Sequence, residues 1–509
     1  MYIRQKHSTL MKHISLLITF ATLIQFTFYS QTQGIAYTAV GKGAATTFVT
    51  DYHSLGINSS ALGWTNEYGK KFTVGSSEFG FGIYSDQLNV DKLRTMYKSI
   101  QAKATGGTQD QATREQQQQF ARDFAGSNII INANYNWFGG SFQHEKFGGV
   151  AFSIQENYQW DSKFGQTTSD ILFNGKFASI FDSLTVVFGN DTTTIANRDG
   201  ISQDTLSNAI LGSFASPLTI SKITEGTRIV GQWTRNYNIG YGRKLFGKDS
   251  TFVVFGGIGG RYIQAIAMFD YESDGTTLRM NSAVSPTFDI NYGNYATMSN
   301  SYSGTNQGGF PPKSIGSGYG VDLSLSALIF NKITVAAAVN NIGQVTYTKN
   351  VYSVRDTLMS SYSLEGFDDN NVTQALNTLL QNGGIVYLEG EEEVVVKNAA
   401  TFRFGASWKL NKFINLGFDV VAPFDRESPG SIANPVYAFG GEIRPVKWLA
   451  LNVGYFGGGV YKNNIPVGIN FILGKGTYEF GIASRDALSF FLDDSNSVSV
   501  AMGILRFRF

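Results

Sequence analysis

Along most of this chain apolar and polar side chains alternate one for one. In "KFINLGFDVVA", Ile414, Leu416, Phe418, Val420 and Ala422 fall on one face of an extended strand, with Asn415, Gly417 and Asp419 on the other. That period of two is what a pleated backbone imposes. The preceding run sets Phe402, Phe404, Ala406, Trp408 and Leu410 against Thr401, Arg403, Gly405, Ser407 and Lys409. Only Asn411 and Lys412 separate the two runs, which predicts a tight hairpin. "VDLSLSALIF" alternates likewise, with Leu323, Leu325, Ala327 and Ile329 opposite Asp322, Ser324 and Ser326. Over 228–241, Ile229, Trp233, Tyr237, Ile239 and Tyr241 oppose Gln232, Thr234, Asn236 and Asn238, and Arg235 interrupts the apolar face. Further strands are expected near 72–84, 127–139, 147–160, 250–269, 284–293, 332–342, 434–444, 446–457, 463–473, 475–485 and 496–509.

The pattern therefore predicts an all-β chain of about 14 to 16 antiparallel strands. Many exceed the roughly 5–6 residues typical of globular strands and match the ~9–11 that a tilted strand needs to cross a bilayer. Two architectures fit such alternation: soluble sandwiches with a dry core, or a closed barrel with lipid outside and a polar lumen. Strand length, aromatics near strand ends and the final "ILRFRF", where Leu505, Phe507 and Phe509 alternate, favour the barrel. Closure follows, because an unpaired edge in lipid costs several kcal/mol for each bare N–H or C=O.

Some segments break the alternation. Leu93, Met96, Tyr97 and Ile100 carry helical spacing, Gly106 and Gly107 break it, and a polar run follows, so 91–125 reads as a helical insertion. An apolar stripe there fits packing on a barrel rim or lumen wall better than a partner surface. Residues 161–213 and 346–393 are polar and poor in strand pattern, and they read as long outer loops; the second holds a helical stretch, "VTQALNTLL". At the N-terminus Lys12 and His13 precede the apolar "ISLLITFATLIQFTFYS" and then "QTQG". Residues 1–30 accordingly read as an export signal cut near Ser30 or Gln31, with Met11 as an alternative start and a membrane helix as the alternative reading. Residues 31–70 and 71–509 then form an N-terminal segment and the barrel.

Composition narrows the chemistry. Forty basic and 39 acidic residues leave a net charge of +1, so no global field draws nucleic acid. Charged residues make up only 16% against a globular average of about 25%, as expected where lipid rather than water covers much of the surface. With no cysteine there are no disulfides, thiolate metal sites or catalytic thiols. Outside the signal the histidines are His53 and His144, far apart and without metal-ligand spacing. "GKGAA" at 41–45 lacks the spacing of a phosphate loop, and the carboxylate clusters at 391–393, 368–369 and 493–494 follow no calcium-loop spacing. No nucleophile context such as G-x-S-x-G accompanies them. The expectation is a protein without catalytic residues, metal or other cofactor.

One stretch does not fit a strand. "AVGKGAATTFVTDYHSLGINSSALGW" resembles the N-terminal region of the FadL-like outer-membrane transporters, and is most similar to a branch beginning "TxFVTDY…LGIN…LGW". Ala44, Ala45, Asp51, Leu55 and Asn58 match in order, Ser59 and Ser60 stand where the family has Pro and Ala, and Leu62 and Gly63 follow. The loss of Pro removes a residue that fixes φ and stiffens a turn. The resemblance implies a barrel of 14 strands in the outer membrane with this segment as a hatch inside the lumen. Asp51, Asn58, Ser59, Ser60, Leu62 and Gly63 are then hatch residues. It also implies passage of hydrophobic or amphipathic small molecules, and the aromatics Trp137, Phe138 and Trp160 are candidates for the ligand path. PorV-like members of the superfamily serve type IX secretion instead, which keeps open a structural or shuttle barrel that grips a secretion or assembly protein. A channel predicts an apolar pocket or a wall gap beside the hatch; a shuttle predicts a filled lumen. Besides lipid, the expected partner is a hydrophobic small molecule in the first case and a protein in the second, with nucleic acid in neither.

Overall fold

The computed structural model describes residues 36–64, 68–89, 91–92, 94–95, 114–248, 251–288, 309, 311–363, 387–424, 428–432, 434–458, 461–492 and 495–509. Its frame is a ring of 14 antiparallel strands. In chain order these are β1 (Phe72–Ser85), β2 (Asn128–His144), β3 (Gly148–Lys163), β4 (Arg228–Lys248), β5 (Phe252–Ser273), β6 (Gly316–Ile329) and β7 (Ile333–Tyr347). They continue with β8 (Thr401–Lys409), β9 (Ile414–Pro423), β10 (Val436–Val446), β11 (Leu449–Gly458), β12 (Val467–Leu473), β13 (Tyr478–Ser484) and β14 (Ser497–Arg508). Each strand pairs with its sequence neighbour, and β1 closes on β14 from Thr73 opposite Arg508 to Tyr84 opposite Ser497. No edge is left in the ring, as a sheet in lipid requires.

Strands expected from alternation account for every member of the ring, and the exception is instructive. The expected strand near 284–293 is not one: Pro286–Phe288 is a turn of 3-10 helix, and 289–293 lie outside the described residues. Pro286 lacks the N–H a central strand must donate. Arg235, which interrupted the β4 pattern, is on the face opposite Thr234 and Asn236, paired at 2.5 Å with Glu156 directly across on β3. The Trp233 indole also donates to Glu156, at 2.6 Å. A charge on the outer face is thus tolerated because its partner is built into the ladder beside it.

The two faces of the wall differ in chemistry. On β6, Leu323 and Leu325 are exposed while Asp322, Ser324 and Ser326 between them are buried. Ile239, Ile258, Phe402, Phe404, Phe439, Val453 and Ile482 extend the outward apolar band around the ring. With nothing polar to meet water, this band is the lipid-facing belt of a transmembrane barrel. Among the described residues no helix is long and apolar enough to cross a membrane. Arginine at Leu325 is accordingly expected to cost about 2–4 kcal/mol if that position lies at the bilayer midplane, measured as lowered folding stability in lipid vesicles.

Short connections, such as 145–147 and 447–448, gather at the end that holds the first residue of β1 and the last of β14, and long ones gather at the other. At the long-loop end the structure departs from two expectations. The stretch 161–213, read as loop, carries strands Ser183–Phe188, Asp191–Ala196 and the start of Ala209–Thr219. With Leu358–Tyr362 from the 346–393 stretch they make a separate four-stranded sheet. Its core of Phe181, Phe214, Ile223, Met359, Leu184 and Val186 comes from both connections, and such non-local packing leaves no periodic trace. The insertion 91–125 contains a helix at Arg114–Phe124, docked through Phe124 and Ala121 on Phe173, Leu88 and Ile129 at the rim. Met96, Tyr97, Ile100 and the "VTQALNTLL" stretch lie outside the described residues.

Candidate functional site: the plugged lumen

Residues 36–64 lie inside the barrel as three short helical turns, Tyr37–Val40, Asp51–Ser54 and Ser59–Gly63, joined by tight bends. Single turns of this length have no stability of their own. They are held by side-chain links, such as Asn58 Nδ2 donating to the Thr46 carbonyl at 2.8 Å and Ser60 Oγ to Asn58 Oδ1 at 2.5 Å. Most of the segment is buried, which makes it a plug within the lumen.

The wall fits the plug through missing side chains. A methyl at Gly440 would sit 1.8 Å from the Lys42 carbonyl oxygen, one at Gly75 1.9 Å from the Tyr52 hydroxyl, and one at Gly257 2.1 Å from the Ser60 nitrogen. Gly503 stands as close to the Tyr37 ring, Gly149 to the Leu62 carbonyl, Gly242 to the Ser59 carbonyl and Gly417 to the Phe48 ring. Glycine is needed at these positions because plug backbone occupies the space a Cβ would take. Gly440→Ala should therefore cost about 1–3 kcal/mol through overpacking. Gly82→Ala, whose methyl would meet only ordinary contacts from 3.5 Å outward, should cost far less. Thermal unfolding of the two variants side by side measures the difference.

Four polar anchors fix the plug's orientation. In the first, Asp51 meets Arg506 of β14 at 2.5 Å, and Arg506 also meets Glu479 of β13 at 2.9 Å, where Arg508 joins it. Asp51 adopts φ 52°, a left-handed conformation that Asp tolerates better than most residues. In the second, Glu78 of β1 accepts from the Tyr52 hydroxyl at 2.6 Å and lies 3.0 Å from His53 Nε2, with Asn136 of β2 donating at 2.8 Å. In the third, one oxygen of Asp419 on β9 accepts from the backbone of Ala45 at 2.7 Å, the backbone of Thr46 at 2.8 Å and the Thr46 hydroxyl at 2.9 Å. In the fourth, Lys42 pairs with Glu442 of β10 at 2.9 Å. Seryl and amide contacts complete the seat: Ser60 to Ser324 and Ser326 of β6, and Asn340 of β7 to the Ile57 carbonyl.

Above the plug, toward the long loops, lies a cavity of about 190 Å³. It runs from Ala36, His53 and Leu55–Ile57 up to Asn398, Ala399 and the 429–432 bend. Its lining contains nine Asn or Gln side chains, from Asn134 on β2 to Asn398, and two arginines, Arg261 and Arg403.

Of the residues singled out from sequence, Asp51, Asn58, Ser59, Ser60 and Leu62 are buried in the plug, and Gly63 abuts the Arg243 backbone. Trp137 is the extra residue of a bulge in β2 and Phe138 follows it, both exposed, and Trp160 is half-buried with its indole on Ser162. None of these three lines the cavity. Sequence reasoning did not single out Lys42, Tyr52, Glu78, Asp419, Glu442, Glu479, Arg506 or Arg508. A signal was present: each of the wall members is a charged residue within a run that otherwise alternates as a membrane strand. Among the described residues no three His, Asp or Glu side chains gather as a metal site.

A closed, lipid-facing ring of 14 strands with a folded segment inside it defines a plugged transmembrane β-barrel. The chain belongs to a family of unknown function, DUF5723, whose model matches residues 200–479. No curated protein matches it in sequence. Among solved structures it is similar to the Pseudomonas putida toluene transporter TodX, at 10% identity over 95% of this chain and 99% of that one, with a TM-score of 0.42. It is also similar to the Ralstonia pickettii toluene transporter TbuX, at 10% identity over 94% and 98%, with a TM-score of 0.40. A Pseudomonas aeruginosa FadL homologue aligns at 10% identity over 95% and 97%, with a TM-score of 0.35. Overlap this low decides nothing about what the chain carries.

Proposed function

We propose that the protein is an outer-membrane channel for small amphipathic compounds, closed at rest by segment 36–64, which moves to admit them. The observation that supports this reading is the cavity: among the described residues, a chamber between the plug and the long loops leads to the segment that bars the lumen. The plug's seat is largely polar, so its displacement exchanges mainly hydrogen bonds and ion pairs for water and exposes only the small clusters of Tyr37 and Val40 on Ala483 and Ala501 and of Tyr52, Leu55 and Leu62 on Ala151. Asp51 and Ser60 bond the plug to the wall in this reading, Asn58 braces the plug internally, and Ser59, Leu62 and Gly63 set its fit against β3, β4 and β5. The close glycine seating favours a second reading, a permanently filled structural barrel that serves a protein partner.

A chain without cysteine allows a clean decision. Ser60 Oγ and Ser326 Oγ are 2.8 Å apart, so S60C/S326C is expected to form a lock between plug and wall under oxidation. Uptake of benzoate and octanoate into proteoliposomes should occur in the reduced protein and stop on oxidation. Equal uptake in both states contradicts gating by the plug. No uptake in either, with a protein recovered in stoichiometric amount from the native membrane, establishes the structural reading instead.

A further inference from the structure

We propose that the cavity above the plug is a binding site for an uncharged, hydroxyl-rich ring compound about the size of one sugar. The inference rests on the channel reading for the route of entry alone, and its substance comes from the lining. At about 190 Å³ the cavity exceeds the roughly 150 Å³ that admits one benzene, so it has room for one substituted six-membered ring.

The walls are wrong for a hydrocarbon. Sites for apolar ligands are built mainly from aliphatic and aromatic side chains, and this lining has no Phe, Tyr or Trp. Nine amides share the lining with aliphatic side chains such as Val345, Val421 and Ile432, and the structure fixes several of the amides. Asn134 Nδ2 donates to Asn157 Oδ1 at 2.8 Å, Gln232 to the Tyr347 hydroxyl at 2.8 Å, and Asn398 to the Tyr319 carbonyl at 2.8 Å. One such bond sets the direction of a side chain that offers up to four, which leaves both donor and acceptor capacity. A hydroxyl needs that pairing, since it gives one hydrogen bond and accepts others.

Charge is balanced. Arg261 Nη2 lies 2.8 and 2.7 Å from the two oxygens of Asp322, and Arg403 is within electrostatic reach of Asp419 and Asp322. His53 is engaged by Glu78. Arg261 is matched by Asp322, and the field at Arg403 combines two carboxylates with the like charge of Arg485, so the lining is near balance rather than strongly cationic. Leu55, Ile57 and Ile263 supply an aliphatic patch, and a sugar ring presents such a patch with its C–H face while its hydroxyls point outward. The match is to an amphipathic ring, not to a hydrocarbon or an anion.

Equilibrium dialysis of the full-length protein in detergent tests this with labelled D-glucose, D-galactose, D-glucuronate and toluene. A neutral hexose is expected to bind one per barrel with a Kd of about 1 mM, ahead of glucuronate and toluene. N134L/Q232L should weaken it about tenfold or more while the barrel remains folded. N398L, at the cavity's outer end, gives an independent weakening should the double variant misfold. Binding of toluene in preference to every hexose, of glucuronate in preference to the neutral sugars, of none of the probes, or hexose binding unchanged in all the folded variants overturns the inference. A barrel that binds a hexose yet passes no solute removes the channel reading and leaves this site intact. One that passes solutes without binding a hexose does the reverse.

Discussion

Deletion of residues 40–64 is expected to convert a barrel that carries no steady current into an open, unselective pore. The reason is geometric. Segment 36–64 reaches the wall through Glu78, Gly149, Gly257, Asn340, Asp419, Gly440 and Arg506, residues spread around the ring, so it spans the lumen from side to side. The wall itself is continuous, because every strand is paired on both sides. Without the plug, the inward Ser, Asn, Asp and Arg side chains would line a water-filled lumen, as in porins. Planar-bilayer recording checks this. An ohmic conductance in the deletion variant is the expected outcome, with solutes excluded by the intact protein now passing by size alone.

Arg506→Met is expected to be the most damaging single substitution in the lumen. It leaves Asp51 and Glu479 with one cation, Arg508, where two had served, in a site whose side chains are at most 6% exposed. Breaking a buried pair by removing one partner costs about 3–5 kcal/mol, because the remaining charge keeps its desolvation penalty without its compensation. The exposed Arg355–Glu389 pair on the outer loops is the internal comparison: Arg355→Met should change stability by about 1 kcal/mol or less. Thermal unfolding of both variants in the same detergent gives the contrast. A second consequence separates the anchor from general stability: with Asp51 released, the Arg506→Met barrel should show current fluctuations at temperatures where its strands remain folded.

The barrel was legible in the sequence for a physical reason. A strand with lipid on one side and water on the other must alternate, so β6, β8 and β9 are visible from single residues such as Leu323, Phe404 and Phe418. The four-stranded outer sheet was not, because Phe181, Phe214 and Met359 pack across connections far apart in the chain, on a scaffold that no membrane disciplines. Within the lumen, Asp51 and Asn58 stood out through a resemblance, whereas their counterparts lay hidden in plain alternation. Arg506 and Arg508 occupy the polar phase of "ILRFRF", where any hydrophilic residue satisfies the pattern. The excess of wall glycine is ambiguous from sequence alone, since a smooth wall suits a ligand tunnel as well as a close-fitting segment. Only the positions of Lys42, Tyr52 and Ser60 against Gly440, Gly75 and Gly257 assign it to the seat of the plug.

The central claim is that segment 36–64 sits folded against the lumen wall and closes it. Ser60 is wholly buried there, and a cysteine in its place would be the only one in the chain. Reaction of S60C with a membrane-impermeant maleimide, in the folded protein and after unfolding, tests the claim most directly. The account predicts a thiol that is labelled far more slowly in the folded barrel than after denaturation, when it reacts fully. Labelling of the folded protein at the rate of a free thiol would contradict it.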